Sequence, residues 1–193
     1  MQHDITPLID HMRRFVKLNE DDVRIISQKA STKKIRNKEH LLQELEVCRE
    51  NYFIVKGCLR KYINTEAGQK QIFQFSIESW WMTDYTSLES GKPSNCNIQA
   101  VEDCDLIVVT KDNLEEMYQQ VPASETYFRK ILQRAYEASL FRIHIIFSYT
   151  GEERYRRFTT AFPEFVQRIP QYMLASYLGF TPEFLSKLRA KKS

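Results

Sequence analysis

A chain of 193 residues with 42% hydrophobic content can bury a sizeable core, as one ordinary domain plus a small second one. Its formal charge of +3 hides an asymmetry: residues 1–120 carry 16 Lys and Arg against 19 Asp and Glu, whereas residues 121–193 carry 12 against 6. A mildly acidic body beside a basic C-terminal third suits one part facing phosphates and another facing something else, although uneven decoration of solvated helix faces gives the same count.

No apolar run approaches the ~20 residues that span a bilayer, and the opening MQHDITPLIDHM lacks the basic-then-apolar layout of a secretion signal. A cytoplasmic location with no membrane partner is expected. The four cysteines, Cys48, Cys58, Cys96 and Cys104, stand 10, 38 and 8 residues apart, so none forms the C-x-x-C spacing of zinc or dithiol chemistry, and reduced core thiols are expected.

Residues 5–29 hold apolar positions at helical spacing, from Ile5, Leu8, Ile9 and Met12 to Phe15 and Val16. A second segment follows, in which Asn19 precedes Glu20-Asp21-Asp22 and then Val23, Ile25 and Ile26; two short helices, the second capped, are predicted. From Ser31 to Thr110 the texture changes to short β-rich runs at 33–36, 41–47, 52–64, 69–76, 96–101 and 106–110. Turn residues separate them at Asn37-Lys38, Arg49-Glu50-Asn51, Thr65-Glu66-Ala67-Gly68 and Glu102-Asp103, which predicts an antiparallel barrel or sandwich.

Residues 111–120 read as a helix, and a much longer one runs from about 123 to 148. Its apolar residues, Tyr127, Phe128, Ile131, Leu132, Ala135, Ala138, Phe141, Ile145 and Ile146, fall three and four apart in a stripe broad enough to pack on the β-domain and on a second copy. A helix that covers only its own domain is the alternative; the length favours dimerisation. Thr150-Gly151 interrupts the pattern before another helical segment at 152–162, which is rich in arginine (Arg154, Arg156, Arg157).

The tail, 169–192, reads as short helix, glycine turn, second helix. Met173, Leu174, Tyr177 and Leu178 precede Gly179, and Phe184, Leu185 and Leu188 follow it. Pro170 can start the first helix, Thr181 can cap the second, and Pro182 can be its first residue. The outward side of the second helix carries Glu183, Ser186, Lys187 and Arg189, with Lys191 and Lys192 beyond. Two angled helices also occur as mere packing units, so the rest of the chain has to decide.

The order of these parts resembles the Crp/Fnr family of bacterial transcription regulators. The run Tyr52-Phe53-Ile54-Val55-Lys56-Gly57-Cys58-Leu59-Arg60 is similar to the family's YxIVKGxxR strand-glycine-strand signature, and Glu66-Ala67-Gly68-Gln69 to the acidic-glycine hairpin after it. In the tail, Leu178-Gly179-Phe180-Thr181 resembles the family's turn. Gly57 would turn a barrel corner, with Tyr52, Ile54 and Leu59 inward and Arg60 outside. The resemblance implies an α+β chain: an N-terminal antiparallel, jelly-roll-like β-barrel of the cyclic nucleotide-binding type (1–121), a dimerisation helix (122–148) and a small all-α helix-turn-helix (149–193). It implies a DNA-binding transcription regulator, not an enzyme, that acts as a homodimer on palindromic double-stranded DNA, with RNA polymerase as a further candidate partner. No catalytic grouping, carboxylate pair or Gly-rich phosphate loop stands out to suggest otherwise.

The departures are as informative. Nucleotide-binding members offer Gly-Glu and Arg-Ser for the ribose and the cyclic phosphate; here the first pair falls on Thr83 and Asp84 and the second on Ser94 and Asn95. Without the guanidinium clamp, cyclic nucleotide binding is not expected, and Lys92 offers only a mobile point charge. Trp80 and Trp81, with Phe73, Phe75 and Tyr85, either fill the barrel or line a pocket for a flat apolar ligand. Neither an iron–sulfur cluster nor haem is supported, because the cysteines lack the N-terminal cluster and His3, His11, His40 and His144 are scattered, so no cofactor is expected. The family's β-hairpin wing would follow the second helix, and this sequence ends at Ser193. Phosphate grip is then expected from Lys187, Arg189, Lys191, Lys192, the helix start at Thr181, and Arg154, Arg156 and Arg157. Pro182, Glu183 and Lys187 fall where relatives read bases, and Pro182 cannot replace the arginine usual there. A sensor or protein-interaction module that has lost DNA binding is the alternative function.

Overall fold

The computed structural model describes residues 4–190. The chain starts with α1 (Thr6–Arg13) and α2 (Glu20–Lys29), followed by β1 (Ser31–Ile35), β2 (His40–Leu42), β3 (Glu50–Lys56), β4 (Leu59–Asn64), β5 (Lys70–Ser76) and β6 (Trp81–Met82). Next come α3 (Tyr85–Ser90), β7 (Asn97–Ala100), β8 (Cys104–Thr110), α4 (Lys111–Gln120) and the long α5 (Pro122–Ser148). The C-terminal helices are α6 (Gly151–Ala161), α7 (Pro163–Arg168), α8 (Gln171–Leu178) and α9 (Pro182–Ala190).

By contacts the chain divides into two units. The first runs to Lys61 and resumes from Phe75 to Gln133; the second comprises Tyr62–Gln74 and the described chain from Arg134 onward. This grouping differs in kind from the three segments that the resemblance implies, because it assigns the end of the β4–β5 hairpin to the helical unit.

The strands form two four-stranded antiparallel sheets, ordered β1-β8-β3-β6 and β2-β7-β4-β5, and they do not close into a barrel. One apolar cluster lies between the sheets, with Tyr52 and Ile54 of β3, Leu106 and Val108 of β8, Leu59 of β4 and Ile98 of β7. A second lies on the other side of β3 and β8, where Phe53, Ile107 and Val109 meet Leu8 and Met12 of α1, Ile26 of α2, Met117 of α4 and Tyr127 of α5. Both faces of these strands are covered, which is why Phe53-Ile54 and Leu106-Ile107-Val108-Val109 are continuous apolar runs and not alternating ones. The α2 start carries a full capping box: Asp22 N–H donates to Asn19 Oδ1 at 2.8 Å and Asn19 N–H to Asp22 Oδ2 at 3.0 Å.

Gly57 turns β3 into β4 at φ +106°, and a Cβ there would stand 2.6 Å from Cys104 Sγ and 2.7 Å from the Asp103 carbonyl oxygen. Arg60 differs from expectation: it is only 5% exposed, and its Nε donates to Gln99 Oε1 of β7 at 3.0 Å, so the guanidinium is held inside by a neutral amide. Residues 43–46 form a turn and not a strand, because the Glu46 carboxylate takes the Gln43 N–H at 2.8 Å while Leu45 adopts φ +74°. The two-residue β6, α3 and α7 are elements that periodicity does not announce, being too short to show a period.

In the second unit α8 ends in a Schellman motif. Gly179 sits at φ +75°, its N–H donates to the Ser176 carbonyl at 3.2 Å, and Phe180 N–H reaches back to Ala175 at 2.8 Å. Helix α9 starts as expected, with Pro182 first and the Phe184 N–H donating to Thr181 Oγ1 at 3.2 Å. Pro170 stands one residue before α8, in extended conformation. Leu174, Ala175 and Leu178 of α8 and Leu185 and Leu188 of α9 are buried together with Tyr155 of α6 and Ile169.

Candidate nucleic-acid interface and ligand cassette

The α8–α9 pair presents a polar outer face. With Leu185 and Leu188 turned inward, helical geometry leaves Glu183, Ser186, Lys187 and Arg189 exposed, as the sequence spacing requires. Pro182 is exposed at the first helical position, while the hydroxyl of Thr181 is engaged by the helix start. The Glu183 carboxyl is held below the usual carboxylate range by the backbone N–H at its own position and by the Thr181 hydroxyl, so it is charged at neutral pH. Arg189 lines a cleft of about 400 Å³ together with Tyr155, Thr159, Val166 and Gln171. Lys191 and Lys192 lie outside the described residues.

Arg154, Arg156 and Arg157 differ in their surroundings. Arg154 is half-buried: Nη1 donates to the Leu178 carbonyl at 3.3 Å and its guanidinium lies over the Phe180 ring at 5.1 Å, so it caps the C-terminal end of α8. Arg157 stacks over Tyr149 at 4.1 Å, and Arg156 is exposed.

Helix α5 exposes Leu132, Tyr136, Leu140, Ile143 and Phe147, spaced four, four, three and four, with Phe147 85% exposed. Phe141 and Ile146 flank this row and are also exposed. Such a stripe runs along one side of a helix and leaves a large apolar surface uncovered in the single chain.

In the cassette, Thr83, Asp84 and Ser94 are buried and knitted together. Ser94 Oγ donates to Asp84 Oδ2 at 2.7 Å, and Thr83 Oγ1 donates to the Glu50 carbonyl at 2.9 Å. The two ends of the cassette thus meet directly, and Asn95 points outward. Lys61 Nζ donates to the Thr83 carbonyl at 3.0 Å. The aromatic residues do not gather in one place. Trp81 turns toward α1 and α5, its Nε1–H donating to the Tyr127 hydroxyl at 2.8 Å, whereas Trp80 is 52% exposed. Phe75 is buried, Tyr85 is exposed at the start of α3, and Phe73 belongs to the second unit.

Three features have no signal in residue spacing: the buried His11–Tyr127–Trp81 chain, Arg142, and Ser176. His11 Nδ1 lies 2.7 Å from the Tyr127 hydroxyl. Among the described residues no group of His, Cys, Asp and Glu is arranged to hold a metal, and no helix is long and apolar enough to cross a membrane.

These elements define a class: residues 32–121 match the model of the cyclic nucleotide-binding domain, and the whole has the fold of Crp/Fnr regulators, with an antiparallel eight-stranded domain followed by helices. FixK2 from Bradyrhizobium japonicum shares 20% identity at a TM-score of 0.70, with 84% of this chain and 83% of that one covered. A putative Crp/Fnr-family transcriptional regulator from Eubacterium rectale shares 15% at a TM-score of 0.72, covering 90% and 83%. CLP from Xanthomonas campestris, described as a c-di-GMP responsive global regulator, shares 10% at a TM-score of 0.73, covering 90% and 91%. No curated protein sequence matches the chain.

Proposed function

We propose that this chain is a dimeric, sequence-specific DNA-binding transcription regulator of the Crp/Fnr type, cytoplasmic, without a cofactor or catalytic activity, and not controlled by cyclic nucleotide. The observation that carries the DNA reading is the α8–α9 pair: a glycine-turned first helix and a capped second helix with Glu183, Ser186 and Lys187 exposed. A carboxylate suits a cytosine amino group, and Lys187 with Arg189 supplies charge for phosphates. The uncovered stripe on α5 supports dimerisation through that helix, which would set two recognition helices about one DNA turn, ~34 Å, apart and favour a palindrome. The bond between Asp84 and Ser94 supports the absence of nucleotide control: Ser94 stands where the resemblance puts the phosphate-clamping guanidinium, and it brings no positive charge while its hydroxyl is engaged by Asp84. RNA polymerase is a partner of the same reading.

Selection of bound sequences from random DNA, with purified protein and no added ligand, tests this. A palindromic consensus is expected, with affinity that falls steeply with salt. Lys187→Ala with Arg189→Ala should lower affinity at least tenfold, because phosphate contacts are lost on both half-sites. No enriched sequence, or unchanged affinity in the double variant, would reassign the chain to a protein-interaction module.

A further inference from the structure

The β4–β5 hairpin makes contacts that the DNA reading does not use. Strand β5 is the edge of its sheet, and an edge presents N–H and C=O groups that need partners. A single residue of α8 meets that edge: the Ile72 N–H donates to Ser176 Oγ at 2.8 Å, and the same hydroxyl donates to the Lys70 carbonyl at 2.8 Å. Gln71 Nε2 donates in turn to the Ser176 carbonyl. One hydroxyl therefore takes the place of a neighbouring strand, accepting from one residue of the edge and donating to another.

Arg142 of α5 binds the same two elements. Its Nη1 donates to the Phe73 carbonyl of the hairpin, its Nη2 to the Tyr177 carbonyl of α8 at 2.8 Å, and its guanidinium lies 4.1 Å from the Tyr177 ring centre. Tyr177 and Leu178 carry the last carbonyls of α8, the negative end of its dipole, where Arg142 and Arg154 each contribute a cation. The planar fork of arginine holds carbonyls on two different elements in a fixed geometry while stacking on the Tyr177 ring, whereas the ammonium of a lysine is a rotatable point charge.

We propose that the β4–β5 hairpin is a strap that seats the first helix of the reader, with Ser176 as its pin and Arg142 as its brace, so that the aim of α9 is governed by the hairpin. Any event that shifts the hairpin along its strands would unseat Ser176, because its two bonds require the Ile72 amide and the Lys70 carbonyl at once. The consequence for DNA rests on the regulator reading above.

The test uses the full chain with Ser176→Ala, followed by hydrogen exchange of the amides of Ile72 and of residues 171–178. Alanine is the better helix former, so any loss of protection in α8 must come from the lost strap and not from helix propensity. Exchange about tenfold faster at these amides is expected, the effect of removing two hydrogen bonds of ordinary strength from a locally opening segment. Arg142→Lys, which keeps the charge and loses the fork, should act in the same direction. Unchanged exchange in both variants overturns the strap. DNA affinity of Ser176→Ala should fall about fivefold or more, and faster exchange with equal or tighter affinity overturns its control of aim. If the unaltered protein selects no DNA while exchange still rises, the strap stands and the DNA reading alone fails.

Discussion

Replacing Tyr127 by Phe removes one oxygen from the centre of the first unit. The ring is fully buried, and its hydroxyl accepts from Trp81 Nε1 at 2.8 Å and lies 2.7 Å from His11 Nδ1. Burial holds the phenol well above its ordinary pKa, so it stays protonated and can donate to His11 while it accepts from Trp81, which is a donor only. The variant leaves the Trp81 N–H facing an apolar ring and takes a hydrogen bond from His11, at about 1–3 kcal/mol for each buried group left unsatisfied. Easier desolvation of Phe offsets part of this, for a net loss of about 2–3 kcal/mol. At roughly 2–4 °C per kcal/mol for a chain of this size, Tm falls by about 4–12 °C. Urea unfolding followed by tryptophan fluorescence measures it, in a Trp80→Phe background because Trp80 is exposed and would mask Trp81. A change below about 0.5 kcal/mol would refute the reasoning, since it would mean that the chain from α1 through Tyr127 to β6 contributes nothing beyond packing.

Gly57→Ala should cost about 3 kcal/mol or more, because strain at positive φ adds to a clash with the backbone at Asp103 and Cys104; Gly68→Ala, also at positive φ but with nothing within 4 Å, should cost about 1 kcal/mol. Chemical denaturation of both variants separates the terms, and equal losses would remove the steric one. Tyr136→Glu with Leu140→Glu puts two charges on the uncovered α5 stripe, and light scattering should then give a mass near 23.0 kDa where the unaltered protein gives twice that. A single-chain mass before substitution would remove the dimer from the proposal.

What the sequence revealed divides by range. Local signals read true: the Asn19 capping box, the Thr181 start of α9 and the Gly179 turn depend on residues within a few positions of one another. Arg60 was placed outside because alternation along one strand says nothing about a partner on another; Gln99 of β7 makes an inward guanidinium tolerable. Trp81 and Met82 are neighbours in sequence yet enter different apolar clusters, so counting aromatic residues near the cassette could not tell which of them face it. The charge of Arg154 is visible in sequence, whereas its bond to the carbonyl of Leu178, twenty-four residues away, is not. Ser176 carries no signal at all: a serine inside a short helix is unremarkable until a strand edge is known to lie against it.

Gly151, the first residue of α6, offers a different kind of control over the outer face of α9. A Cβ at this position would stand 2.8 Å from Cε1 and 3.0 Å from Cζ of Phe184, so the ring rests where a side chain would otherwise be. Phe184 and Glu183 are consecutive on one helix, and the atoms in the way are the far end of an exposed ring, which an added Cβ would turn aside. A substitution at residue 151 would therefore change the apolar surface beside Glu183 without altering any of the exposed polar side chains of α9. The surface that α9 presents is thus set partly from behind it, by the size of one residue.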